Sequence, residues 1–133
     1  MTPSENLVGL AERVERQAEP WANLDCAIFA TIHPEKFEGS AQTYARPDWT
    51  RNRADWIWLR DMGMPAYTSS LDAAMTLVPE GMRFYVDNGT LDAGSSHACA
   101  WTGTPPGISG GCKGAATPAL ALCAAALRSR SAQ

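Results

Sequence analysis

Proline and glycine cut this chain into short pieces, and that punctuation limits what it can build. Pro34 pushes His33 away from helical geometry. Pro79 and Gly81 close the next periodic segment, and the run Gly103–Gly114 is too rich in Gly and Pro to continue any element. The longest apolar stretch, Ala115–Leu127, carries Thr117 and Pro118 and is far too short to span a bilayer. The pieces must therefore pack against one another. At 133 residues the chain fits one domain, with enough core to fold without a metal or disulfide.

Between the breaks the patterns are readable. Leu7, Leu10, Ala11 and Val14 recur at the spacing of one helix face, with Ser4 as N-cap, which predicts a helix to about Ala18 ended by Pro20 and Trp21. Asn23 is expected to cap a second helix through Leu24, Ala27, Ile28 and Ile32. Asp55–Arg60 is aromatic and β-branched and reads as a strand, with Trp56 and Trp58 on one side and Ile57 and Leu59 on the other. Ser69 and Asp72 approximate a capping box for a helix bearing Leu71, Ala74, Met75 and Val78. Met82–Asp87 alternates, placing Met82, Phe84 and Val86 inward. Asn88 and Gly89 signal a hairpin, returning as a strand over Ser96–Thr102. Thr117 caps a final helix with Pro118 at its first position, Leu120, Cys123, Ala124 and Leu127 on its apolar face, and Arg128 and Arg130 at its C-terminal end.

Two of these segments carry a resemblance. Pro65–Gly81 has a Tyr-Thr-x-x-x-Asp-Ala-Ala helix leading to a strand, and Ala115–Arg128 reads Ala-Ala-Thr-Pro-Ala-Leu-Ala-Leu-Cys-Ala-Ala-Ala-Leu-Arg. Both resemble the phage ABA sandwich family, small proteins of phage and prophage genomes, and Leu24–Ile28 is similar to that family's early helix. The resemblance covers about half the chain and implies a phage origin and an α-β-α layered fold. Residues 34–64 depart from the family pattern and read as an insertion. The expected fold class is therefore α+β: an α-β-α sandwich with a small, mostly antiparallel sheet of about three strands covered by helices on both faces. The resemblance implies no activity.

Several functions can be set aside. The net charge is −3, and the basic residues Arg46, Arg51, Arg53 and Arg60 cluster weakly, which argues against general nucleic-acid binding. The N-terminus lacks a basic segment followed by an apolar one, so the chain is expected in the cytoplasm, that of a host cell if the origin is phage. Cys26, Cys99, Cys112 and Cys123 are then expected to be reduced thiols. His97, Cys99 and Cys112 lack zinc-ligand spacing, and Gly107–Gly114 lacks both the glycine before Lys113 and the hydroxyl after it that a nucleotide-hydrolysis loop needs. No catalytic residue, metal or cofactor is expected.

What remains is binding. Aromatic faces beside guanidinium groups suit a nucleotide or a protein hot spot. Trp49, Arg51, Arg53, Trp56, Trp58, Tyr85 and Trp101 form the expected ligand set. Trp49, in a polar loop, is expected to be exposed. Lys113 and Thr117 join the set, because the free N–H groups at a helix start can meet an anion. The expected partner is a small nucleotide-like signal or a host defence protein, bound by a host-defence antagonist. A homo-oligomer through the first helix is also expected. The rival readings are a nucleotide- or phosphoester-cleaving enzyme using His97, Tyr85 or Arg83, and a virion structural or packaging accessory.

Overall fold

The computed structural model describes residues 3–87, 98–103 and 113–131. The Asn88 and Gly89 turn, His97, and the Gly-rich stretch before Lys113 lie outside the described residues.

Helix α1, Pro3–Arg16, forms as its spacing predicts: Leu7, Leu10, Ala11 and Val14 are all buried. Helix α2, Ala22–Ile32, is buried along Leu24–Ala30, so it runs through the core rather than along the surface. Its cap is not Asn23. Trp21 stands at that position in extended conformation, and its N–H donates to the Thr68 hydroxyl at 3.0 Å. His33 leaves helical geometry before Pro34, as expected, and a short 3-10 turn follows over Pro34–Phe37. Glu38 and Gly39, with φ of 49° and 90°, reverse the chain into α3, Ala41–Tyr44.

Helix α4, Arg53–Asp61, replaces the strand expected there. Its start carries a complete capping box. The Asp55 N–H donates to the Asn52 side chain at 2.9 Å, and the Asn52 N–H donates to the Asp55 carboxylate at 3.0 Å. On this helix Leu59 is fully buried while Ile57, two residues earlier, is 42% exposed. Apolar residues on both sides of a supposed strand were the mark of a helix, in which positions two apart face away from each other. Helix α5, Leu71–Met75, is capped by Ser70, whose hydroxyl accepts from the Ala73 N–H, instead of by Ser69.

Three strands follow: β1, Arg83–Asp87; β2, Ala98–Gly103; and β3, Lys113–Ala115. They are antiparallel in the order β1-β2-β3, with Tyr85 opposite Trp101 and Lys113 opposite Ala100. Helix α6, Pro118–Ser131, begins at Thr117, whose hydroxyl accepts from the Leu120 N–H at 3.2 Å. Its residues Ala119–Ala124, Ala126 and Leu127 are buried, so it is apolar nearly all round. The alanines let it lie close to neighbours on several sides. It packs against α1, against α5 and over β2. Arg128 ties it to α1 through a two-point ion pair with Glu15, at 2.7 and 3.1 Å.

These contacts overturn the α-β-α sandwich. The molecule is mainly helical, and its principal core is helix on helix: α1, α2 and α6 supply most of the buried residues. The strands are five, six and three residues long. Among the described residues, the helices that pack on the strands are α6 and α1. Those two helices also pack on each other, so they lie on one side of the strands, and among the described residues no second helical layer covers the other side. Phe84, expected inward, is 40% exposed, because β1 is an edge strand and α6 lies mainly over β2.

Candidate functional site

The residues from 34 to 62 fold around an aromatic cluster. Phe37 is fully buried and meets Phe29, Tyr44 and Trp58 with ring centroids 5.7, 5.3 and 5.6 Å away. Tyr44 in turn contacts Trp49 and Trp58 at 5.1 and 5.2 Å. Such edge and tilted contacts stabilise beyond simple burial. Arg51 closes the cluster. It is only 8% exposed, and its guanidinium carbon lies 5.7 Å from the Trp49 ring and 5.8 Å from the Trp56 ring. Its N–H groups donate to the carbonyls of Tyr44, Arg46 and Trp49 at 2.7, 3.0 and 3.0 Å, and to the Cys26 sulfur at 3.1 Å. A buried cation is tolerated when it is this fully hydrogen-bonded.

The structure thus brings Trp49, Arg51, Trp56 and Trp58 together, but around each other. Trp49 is half-buried instead of exposed. Arg53 is exposed at the first turn of α4. Tyr85 and Trp101 are cross-strand partners in register, and Lys113 begins β3. Thr117 spends its hydroxyl on the α6 cap. The Arg51 cluster and the strands are separate: neither α3 nor α4 packs to any extent on β1, β2 or β3.

A second polar group lies in the core. Asp25 is 6% exposed and accepts from the Thr68 N–H at 2.7 Å and the Thr68 hydroxyl at 2.9 Å, both at one oxygen. Burial pushes its carboxyl up to about 6, against the opposing pull of those two bonds. The Cys123 thiol donates to the Tyr67 carbonyl at 3.1 Å. Burial raises the Cys123 and Cys26 thiols, Arg51 partly offsetting this at Cys26. The same cause pushes the Tyr67 hydroxyl up to about 12. Tyr44 also rises to about 12, first through burial and then through its 2.7 Å bond to Asp55. The two thiols, the Asp25 carboxyl and the Tyr44 hydroxyl are hydrogen-bonded inside the chain, and the Tyr67 side chain is fully buried. Among the described residues no group of three His, Cys, Asp or Glu side chains could hold a metal.

An open cleft of about 640 Å³ lies beside α1. One wall is the α1 ridge of Glu5, Gly9 and Arg13, with Asn6 and Leu10 alongside. The facing wall is Ala30, Thr31 and Pro34 at the end of α2, then Ala41, Gln42 and Ala45 on α3, then Arg46, Pro47 and Asp48. The lining is mainly apolar and includes two residues with guanidinium groups, Arg13 and Arg46, and two with carboxylates, Glu5 and Asp48. Arg46 Nε lies 3.7 Å from the Asp48 carboxylate, both side chains being well exposed. Arg13 also lies over the Trp21 ring, 6.0 Å from its centroid. None of the expected ligand residues is among the residues lining this cleft; Pro47 and Asp48 reach it just before the chain turns inward at Trp49. Gly9, Arg13 and Gln42 were not singled out by the sequence reading. The available signal was an isolated glycine inside a strong helical pattern, with Glu5 and Arg13 four residues to either side.

Comparison with protein-family models, with curated proteins and with solved structures finds no match to this chain.

Proposed function

We propose that this protein acts by binding rather than by catalysis, and that the cleft beside α1 is its binding site. The observation that carries this is a contrast. The thiols of Cys26 and Cys123 and the carboxyl of Asp25 are buried and hydrogen-bonded within the chain, while an open, mainly apolar cleft includes Arg13 and Arg46 in its lining. A concave apolar surface with a few converging polar groups is the usual form of a ligand site. A nucleotide-like signal fits it in kind: a flat base on the apolar floor and a phosphate on a guanidinium. The resemblance of Pro65–Gly81 and Ala115–Arg128 to phage proteins supports a phage or prophage accessory role, in which such binding removes a host-defence signal or blocks a defence protein in the host cytoplasm. No helix among the described residues is long and apolar enough to cross a membrane.

The test is titration calorimetry against a panel of nucleotides, linear and cyclic, and against host defence proteins. The bound fraction is then denatured and chromatographed. Intact ligand supports binding, and cleaved product supports the enzyme reading instead. Arg46→Ala and Arg13→Ala are each expected to weaken ligand affinity about tenfold, the scale of one charge-assisted hydrogen bond. No binding across both panels ends this proposal.

A further inference from the structure

We infer that a second copy of this chain docks in the cleft, with the two α1 helices crossing at Gly9 about a two-fold axis. This rests on the cleft geometry and not on the nucleotide reading.

The first argument is Gly9 itself. Glycine inside a helix destabilises it relative to alanine. The usual reasons for accepting that are a positive φ or a close neighbour, and Gly9 has neither: a Cβ built there meets no atom within 4 Å. Among the described residues outside the backbone of α1, nothing needs the missing side chain. A helix from outside, laid across α1 at this point, would need it, because small residues let helix backbones approach closely.

The second argument is charge. Glu5, Gly9 and Arg13 stand at i, i+4 and i+8, one ridge of the helix facing the cleft. Glu5 and Arg13 lie about 6 Å to either side of Gly9 along the axis. A two-fold interface brings the same patch of each copy against itself and must be self-complementary. An antiparallel crossing at Gly9 sets each Glu5 beside the other copy's Arg13. At the common crossing angle of about 50° those ends diverge by only about 5 Å, within reach of two long side chains.

The third argument is size. A helix about 10–12 Å across with 1.5 Å rise fills roughly 120–170 Å³ per residue. A cleft of about 640 Å³ therefore holds about four to five helical residues, a little over one turn centred on Gly9. That is a small contact, so the dimer is weak and a cleft-filling ligand would compete with it.

Sedimentation equilibrium of the full chain between about 5 and 300 μM tests this. The expected result is a monomer–dimer equilibrium in the micromolar range, as suits a small interface. Gly9→Trp is expected to stay monomeric across that range with unchanged circular dichroism, since the space around Gly9 is open in the protomer. Arg13→Glu is expected to be monomeric, and Glu5→Arg with Arg13→Glu in one chain to regain the dimer. A wild-type monomer throughout overturns the inference, as does a dimer that Gly9→Trp leaves equally tight, or a charge-reversed double variant that stays monomeric. Failure of the nucleotide reading shows separately, as a wild-type dimer that no nucleotide shifts toward monomer.

Discussion

Thr68 gives both its backbone N–H and its hydroxyl to the same oxygen of Asp25, at 2.7 and 2.9 Å, across 43 positions of sequence. The Thr68 hydroxyl also accepts from the Trp21 N–H, which has no partner within α2 because it stands at the helix start. One buried threonine therefore orients the start of α2 and holds the carboxyl behind it. Its neighbour Tyr67 is fully buried, and its carbonyl receives the Cys123 thiol of α6. The loop before α5 is thus fastened to both central helices by polar contacts inside the core.

That arrangement predicts an unusual pH dependence. The Asp25 carboxyl is raised from 3.8 to about 6, so between those values the folded protein binds a proton that the unfolded chain does not. Stability from this group is full below pH 4 and falls as pH rises through about 6, by about 3 kcal/mol. Asp25→Asn, which keeps an oxygen acceptor for Thr68, removes the charge. Urea denaturation from pH 4 to 8 should show the variant gaining on wild type by that order across the window, and near parity at pH 4. A difference that does not grow with pH refutes the assignment.

Arg51 predicts a loss of stability rather than a loss of ligand. Its removal takes a donor from three carbonyls, of which Arg46 keeps the Trp49 N–H and Tyr44 keeps the Cys26 thiol, leaves the Cys26 sulfur without its N–H donor, and uncovers the Trp49 and Trp56 rings. Arg51→Ala should cost about 3 kcal/mol or more, read from urea unfolding followed by tryptophan fluorescence. Arg51→Lys should recover less than half, because an ammonium cannot reproduce the planar fork. A fully stable Arg51→Ala protein that has lost ligand affinity would restore the expectation of a binding arginine.

The capping box at α4 predicts a local and smaller effect. Asn52→Ala and Asp55→Ala each remove one half of the reciprocal pair, and Asp55→Ala also removes the partner of the Tyr44 hydroxyl. Asn52→Ala should cost about 1 kcal/mol. Asp55→Ala should cost more, by a further buried hydrogen bond of about 1 kcal/mol. Equal costs in chemical denaturation would show that the Tyr44 contact contributes nothing.

Where sequence misread a local element, a local preference was overridden by a partner distant in sequence or by a cap left unread. Helix α1 and the start of α6 were legible because each carries its own cap or periodic face. Trp56, Ile57 and Trp58 have strand propensity, yet Asn52 and Asp55 start a helix, and Phe37 and Tyr44 hold one face of it. Trp49 read as exposed because polar neighbours surround it in sequence, and Arg51 read as a ligand-binding cation. In the fold the carbonyls that bury Arg51 come from residues two to seven positions away, a loop closing on its own side chain. The layered sandwich failed for a different reason. Helix number says nothing about which side of the strands each helix takes, and α1 chose α6. The cleft was the least legible feature, because its walls come from α1 and from residues 30–48, and neither carries a signal of the other.

The cysteines separate binding from thiol catalysis most directly. Cys26 and Cys123 are fully buried, and burial raises both thiols, so neither offers a thiolate at neutral pH. With Cys99 and Cys112 changed to serine, the native protein should react with a thiol-specific disulfide reagent no faster than it unfolds. Both remaining thiols should appear at once when urea crosses the unfolding midpoint. Cys123→Ala should lower stability by about 1 kcal/mol, the Tyr67 carbonyl losing its donor, while leaving ligand affinity unchanged. Cys26→Ala should cost at least as much, since the Arg51 Nε–H then loses its acceptor in a buried site. Rapid labelling of either thiol in the folded protein would place a reactive cysteine within reach of a substrate, and the case for a purely binding protein would fall with it.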